Sequence, residues 1–245
     1  MNPESICKAY HEVRETIARA ARQNGRDPGE IELMLAIKTQ QHDDVRAALD
    51  CGASLLGHNR VQELVATGED LAAHGLTPEL HLIGPLQRNK VNHTLRWATG
   101  IQTLDRVEII ERISDALERL AGESQIAKRG RNALDVMIQV NTTGEESKSG
   151  CKPSEAVELA ALVGSRENLR LVGLMTIGPN TKDSAEIRAA YRRMRELAAE
   201  IRESGADGTS QCMQLSMGMT NDIAEAIAEG ATMVRVGRAV FGERF

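Results

Sequence analysis

Aromatic side chains are scarce: one Trp, two Tyr and two Phe, 2% of 245 residues. Such a chain offers no evident aromatic hot-spot patch for a partner, so a monomer is expected. Lys and Arg together number 30 against 35 Asp and Glu, for a net charge of -5, and the missing basic surplus argues against nucleic acid as a partner. No apolar run approaches the ~20 residues needed to cross a bilayer. The N-terminus reads as a polar helix without a signal-peptide core, so no membrane association and a cytoplasmic location are expected. Cys7, Cys51, Cys151 and Cys212 are scattered and form no CxxC pair. Neither a disulfide framework nor a zinc knuckle is indicated, and all four are expected to be reduced, structural thiols.

What is present is an alternation of short apolar runs and longer helical patterns. Asn2-Pro3-Glu4 is a cap with proline at the first helical position, and Ile6, Val13, Ile17 and Ala21 recur near helical spacing up to Asn24-Gly25. Eight strands are predicted: 33–37, 54–57, 80–83, 101–104, 136–140, 171–177, 213–215 and 233–236. Helical patterns fall at 43–49, 61–73, 106–120, 154–163, 185–202 and 221–228. This alternation favours a parallel sheet. Eight repeats in a chain of this length close most naturally as a single (β/α)8 barrel occupying residues 1–245, although a doubly wound sheet has similar strand texture. Too few residues follow the eighth strand for a full eighth helix, and the helix of residues 1–24 is expected to fill that gap on the wall. The polar segments 122–132 and 142–152 read as loops, the first at the bottom and the second, a candidate lid, at the top.

The conspicuous polar residues follow strands: Lys38, His58-Asn59-Arg60, His81, Asp105-Arg106, Asn141, Met175-Thr176, Ser216 and Arg235 to Gly237. In a barrel they converge on the carboxyl-end face, where chemistry is located. Lys38 stands where the first apolar run meets solvent, a place for an amine to meet an aldehyde. Ser216-Met217-Gly218-Met219, with a helix opening at Thr220 or Asn221, has the small hydroxyl and the glycine that an anion site uses. Gly237 supplies a second turn after strand eight. His58 and His81 with Asp105 could also be read as metal ligands, but no HxH pair follows strand one and Lys38 stands where a ligand is needed. Lys148 and Ser149 read as part of a solvated, charged loop beside Glu145-Glu146, or as a second amine near the site.

Leu35-Ala36-Ile37-Lys38-Thr39, Gly57-His58-Asn59-Arg60-Val61-Gln62-Glu63, His81 to Lys90, Ser147-Lys148-Ser149-Gly150, Gly173-Leu174-Met175, Leu215 to Met219, and Met233 to Gly237 with Phe241-Gly242 closely resemble the pyridoxal phosphate homeostasis proteins. That family shares the barrel of the alanine racemase N-terminal domain (PLP fold type III). The resemblance implies that Lys38 holds pyridoxal 5'-phosphate (PLP) as a Schiff base. It also implies that Ser216, the backbone around Met217, Gly237 and Arg238 hold the phosphate, and that Arg235 faces the pyridine nitrogen. Asn59, His81 and Met175 would line the ring. Burial and a neighbouring cation in general favour a free amine, and an arginine at the pyridine nitrogen restrains carbanion chemistry.

The chain departs from the family pattern at three places. Phe-Gly-Glu-Asn-Tyr reads Leu56-Gly57-His58-Asn59-Arg60, the small hydroxyl residue after Gly237 is Arg238, and Ile37 replaces the usual serine before Lys38. The implied function is PLP homeostasis and delivery to PLP-dependent apoenzymes, with no metal and little or no turnover. Racemases of this barrel add a β-rich domain and an opposing tyrosine, whereas Tyr10 and Tyr191 do not follow strands. The alternative is a small PLP-dependent amino acid racemase or lyase with Lys38 as one base.

Overall fold

Apolar runs of four to seven residues bounded by helices become strands because both faces of a parallel sheet are covered. A computed structural model describes residues 2–145 and 148–242. The strands are β1 (Glu32–Ala36), β2 (Leu55–His58), β3 (Glu79–Leu82), β4 (Gly100–Leu104), β5 (Leu134–Gln139), β6 (Leu169–Met175), β7 (Gln214–Ser216) and β8 (Met233–Val236). All pair parallel with their sequence neighbours, and β8 closes on β1, with Glu32 opposite Met233 and Leu35 opposite Val236. The result is a (β/α)8 barrel. The predicted sixth strand was carried to Ile177, but β6 stops at Met175; Ile177 is 40% exposed at the carboxyl rim.

The helices are α1 (Pro3–Gln23), α2 (His42–Asp50), α3 (Val61–Ala73), α4 (Val91–Leu95), α5 (Val107–Leu120), α6 (Gln125–Lys128), α7 (Ala156–Gly164), α8 (Ser184–Glu203), α9 (Ile223–Ala228) and α10 (Arg238–Phe241). Strand alternation separates two cores. Outward residues such as Leu33, Leu35, Leu56, Leu82, Val136 and Val234 pack beneath the helices. Inward residues Met34, Leu55, Ile83, Met137, Met175 and Met233 fill the barrel, where unbranched methionines suit irregular space. A Cβ on Gly57 would lie 2.6 Å from Met34 Sδ and 2.9 Å from Ile83 Cδ1, so the glycine gives these inward side chains their room.

The Asn2 side chain caps α1 by accepting from Glu4 N, and Gly25 ends the segment at φ +67°. Its buried face, Ile6, Tyr10, Val13, Ile17, Ala20 and Ala21, lies against α2 on one side and α9 and α10 on the other. Tyr10 Oη donates to Gly52 O, Arg14 to Ile31 O, and Arg26 to Ile227 O and Ala231 O. The helix after β8, α10, spans only one turn and leaves room for this docking.

Three expectations are corrected. Cys7 and Cys51 are joined in a disulfide, and only Cys151 and Cys212 are free and buried. Docking of α1 beside the end of α2 brings the first pair together across 44 positions, a proximity that spacing does not signal. Residues 122–132 are not a plain loop. They contain α6, capped by Ser124, and Arg129 and Arg131 there both reach Glu79. Finally, α9 opens at Ile223 rather than at Thr220 or Asn221.

Candidate functional site at the carboxyl rim

A cavity of about 780 Å³ opens at the carboxyl ends of the strands, bordered by Lys38, Asn59, Arg235, Gly237 and Arg238 among others. Lys38 follows β1 in the left-handed region, at φ +49°. For a residue with a Cβ this costs roughly 1 kcal/mol or more, so the surrounding chain must hold it. The neighbouring backbone is fixed by Ile37 N donating to Gly57 O and Gln40 N to Ile37 O. The Lys38 side chain is exposed, so the protein positions the amine at the cavity without burying it.

Gly237 brings the turn after β8 against β1: a Cβ there would stand 2.7 Å from Ala36 O, two residues before Lys38. Gly84 does the same beside β2, where a Cβ would collide with the backbone carbonyl of Asn59. These two close approaches set the Lys38, Asn59 and Gly237–Arg238 backbones around one opening. Arg238 is exposed on the rim and forms part of the lining.

Arg235, on β8, is 6% exposed. Its Nη1 donates to Ser216 O at 2.6 Å and Ser216 Oγ at 2.8 Å, and Nη2 donates to Thr176 O at 2.6 Å. Burial lowers the affinity of the guanidinium for its proton, and the Asp222 carboxylate opposes that shift. It remains a cation, because a guanidinium does not give up its proton in proteins.

Several expected residues lie elsewhere than the cavity wall. The Ser216 hydroxyl is fully buried between Arg235 and Gln102, to which it donates at 2.7 Å. Met217 N donates to Met233 O, continuing the β7–β8 ladder, and its side chain is buried. Met175 is in the barrel interior. His81 is 9% exposed and also points inward, its ring lying over Gly100, and burial pushes it down to about 4.

His58, one residue past inward-facing Gly57, points out of the barrel. Neither ring nitrogen has a partner, and burial pushes it down to about 4. His58 and His81 therefore face opposite sides of the wall. Among the described residues no group of three or more His, Cys, Asp or Glu is placed to hold a metal.

The loop after β5 is not simply solvated. The Asn141 side chain accepts from Thr143 and Gly144 N–H and donates to Glu145 O and Lys148 O. Lys148 is largely covered; it pairs with Glu145 and donates to Gly178 O at 3.2 Å. Glu146 and Ser147 lie outside the described residues.

Sequence reasoning missed two groups. Gln102 is a single amide on the inward face of β4, and that parity was its only signal. Asp222 lines the cavity, accepts from Tyr191 Oη at 2.6 Å and from Met219 N, and so braces the turn after β7. Burial, then Asp222, pushes the Tyr191 phenol above its usual range. Gly218 in this turn has φ +93°, and its carbonyl accepts from Arg235 N.

Fold and site together define a class: a closed parallel barrel carrying an amine directly after its first strand, a buried guanidinium on its last, and two glycine turns on its carboxyl rim. The family described as alanine racemase, N-terminal domain, matches residues 12–244. The pyridoxal phosphate homeostasis protein of Pseudomonas aeruginosa is 39% identical over 241 residues, covering 98% of this chain and 95% of that one. The chain belongs to the pyridoxal phosphate homeostasis protein family. PipY of Synechococcus elongatus, solved with PLP bound, superposes with a TM-score of 0.76 at 28% identity, over 92% of this chain and all of PipY. Alanine racemase of Corynebacterium glutamicum shares the fold, with a TM-score of 0.71 at 13% identity, and this chain spans 62% of it.

Proposed function

We propose that this protein binds pyridoxal 5'-phosphate at the carboxyl rim, links its aldehyde to Lys38, and serves intracellular PLP homeostasis by delivering it to PLP-dependent apoenzymes, with little or no turnover. The observation that carries this reading is that Lys38, Asn59, Arg235, Gly237 and Arg238 border one cavity, with the amine just after β1 and the guanidinium on the neighbouring β8. When bound, the cofactor supplies an aldehyde and an electron-withdrawing ring.

The residues fit such a group. Arg235 has five N–H donors and engages carbonyl and hydroxyl oxygens on two of its nitrogens, which leaves donor capacity for a ring nitrogen. The Gly237–Arg238 turn is assigned the phosphate, joined by the Gly218 to Asn221 turn. Ser216 and Met217, whose hydroxyl and N–H already have partners, are assigned to its support. Asn59 is assigned to the ring at the cavity wall, with His81 and Met175 beneath it in the barrel interior. A cation at the ring nitrogen disfavours protonation there, so the ring is a weak electron sink. Tyr191 is fully buried on Asp222 and Tyr10 is bonded to Gly52 O, so neither tyrosine is available as a base facing Lys38.

Borohydride reduction after incubation with PLP is expected to leave a covalent adduct on Lys38, located by peptide mass spectrometry, and Lys38→Ala is expected to abolish it. An adduct of equal occupancy in Lys38→Ala would refute the assignment. Optical rotation of L- and D-amino acids is expected to stay constant, whereas turnover above about 1 per second would make the protein an enzyme.

A further inference from the structure

Four polar side chains form an unbroken chain across the barrel interior: Arg235, Ser216, Gln102 and His81. Ser216 and Gln102 are no more than 1% exposed, and the other two are nearly as buried. Arg235 Nη1 lies 2.8 Å from Ser216 Oγ, Ser216 Oγ 2.7 Å from Gln102 Oε1, and Gln102 Nε2 3.0 Å from His81 Nδ1. Gln102 Nε2 is also 3.1 Å from Met233 Sδ.

The direction of every bond follows from the one member that can only donate. A guanidinium has no acceptor, so Ser216 Oγ accepts from it, and the single hydroxyl proton goes to Gln102 Oε1. The amide N–H2 end then faces His81 and Met233. A thioether sulfur is a weak acceptor and never a donor, so Met233 favours the same amide orientation without fixing it. With the amide reversed, Ser216 Oγ would receive two donors and have no acceptor for its own proton, while Oε1 would face the sulfur. Nδ1 of His81 is therefore an acceptor, and the ring proton sits on Nε2.

We propose that Gln102 is a positioning residue that transmits this polarity, holding His81 as the neutral imidazole protonated at Nε2 and fixing Ser216 so that Arg235 keeps its remaining donors for the cavity. Charged groups acting on His81 are Glu79 and Asp135, which favour its cation, and Arg131, which opposes it; burial outweighs them. Gln102 adds an N–H where an imidazolium would need an acceptor. A second consequence rests on the PLP reading: of Arg235, at the ring nitrogen, and His81, beneath the ring, only Arg235 is then a cation.

The test is a long-range proton–nitrogen correlation spectrum of the full chain labelled with [15N]histidine, without added ligand. His81 is expected to show an unprotonated Nδ1, a protonated Nε2 and no titration between pH 8 and 5. Gln102→Glu places an acceptor against Nδ1. It is expected to move the proton to Nδ1 and raise the titration of His81 by about one unit or more. Ser216→Ala disconnects the amide from Arg235 and is expected to yield a mixture of tautomers.

A protonated Nδ1 in the unsubstituted protein, or a pure Nε2–H tautomer that survives Gln102→Glu, would overturn the proposal. Should Gln102→Glu fail to fold, the unsubstituted spectrum and Ser216→Ala still decide it, since an unmixed tautomer in Ser216→Ala removes Arg235 as the source of the polarity. Absence of PLP binding by the unsubstituted protein would refute the proposed function and leave the tautomer result standing, so the two failures are distinguishable.

Discussion

At the amino end of the strands, Glu79 receives Arg129 at 2.8 Å and Arg131 at 2.6 Å, Asp135 takes a two-point pair from Arg170, and a disulfide ties α1 to the end of α2. At the carboxyl end, buried Arg235 meets no carboxylate within ion-pair distance among the described residues; its partners are two carbonyls and a hydroxyl. His58, on the same end, has no partner at all. At the first end Glu79 and Asp135 are paired with arginines, while the second retains donors and uncompensated buried groups. A barrel can tolerate such a rim because the opposite end and the helical layer supply the stability.

Breaking the closed end is expected to have the largest effect. Reduction of Cys7–Cys51 opens a loop closed across 44 positions, for which chain entropy estimates a loss of about 4 kcal/mol. Urea unfolding with and without dithiothreitol measures it, and coincident midpoints would show that α1 docks without the link. At the open end, Arg235→Met is expected to cost about 1–3 kcal/mol of stability, because the buried Thr176 carbonyl and Ser216 hydroxyl lose their donor while no direct ion pair is broken. The same substitution is expected to weaken PLP binding by about 3 kcal/mol, roughly a hundredfold. Fluorescence titration and a thermal melt on one sample separate the two; a collapse of stability would place Arg235 among the structural charges.

The buried histidines sharpen the comparison through pH. His58 is depressed to about 4, so below an ordinary histidine value the unfolded chain binds a proton that the folded chain refuses. Stability contributed by the neutral ring is complete above about pH 6.5 and is lost as pH falls toward 4, by roughly 2 kcal/mol at pH 5. His81, lowered to about 4 as well, adds to the same window. His58→Leu is expected to flatten the slope by about one proton, measured as the urea midpoint between pH 7 and 5. An unchanged slope would mean that His58 finds water or a partner.

The smallest effect is expected from Glu79→Gln, which weakens the pairs with Arg129 and Arg131 at the closed end by about 1 kcal/mol. It should leave PLP binding unchanged. A lower affinity would show that the two ends communicate.

Much of the architecture was legible locally. Runs such as Leu33 to Ile37 and Val136 to Val140 announce buried parallel strands because no polar face is needed, and the prediction of 61–73 coincides with α3. Lys38, Asn59 and Arg235 could be placed on one rim because each follows or ends a strand with known parity. Ser216 looked like an anion ligand from its place before a glycine turn, yet parity also turns it toward Gln102, and only the closed barrel brings β4 and β7 across from each other. The Cys7–Cys51 bond and the Lys148–Gly178 contact were invisible for the same reason, since their partners lie far apart in the chain.

Periodicity, capping residues and strand-end chemistry, all local properties of covalent neighbours, by themselves determined eight βα units, a leading helix and an amine on the carboxyl rim. Closure of β8 on β1 decided the rest. It set Gly237 against Ala36, joined Arg235 to Gln102 through Ser216, and left His58 outside the wall and His81 within it. Those contacts depend on inward and outward parity across non-adjacent strands, a property of the ring that no single segment contains.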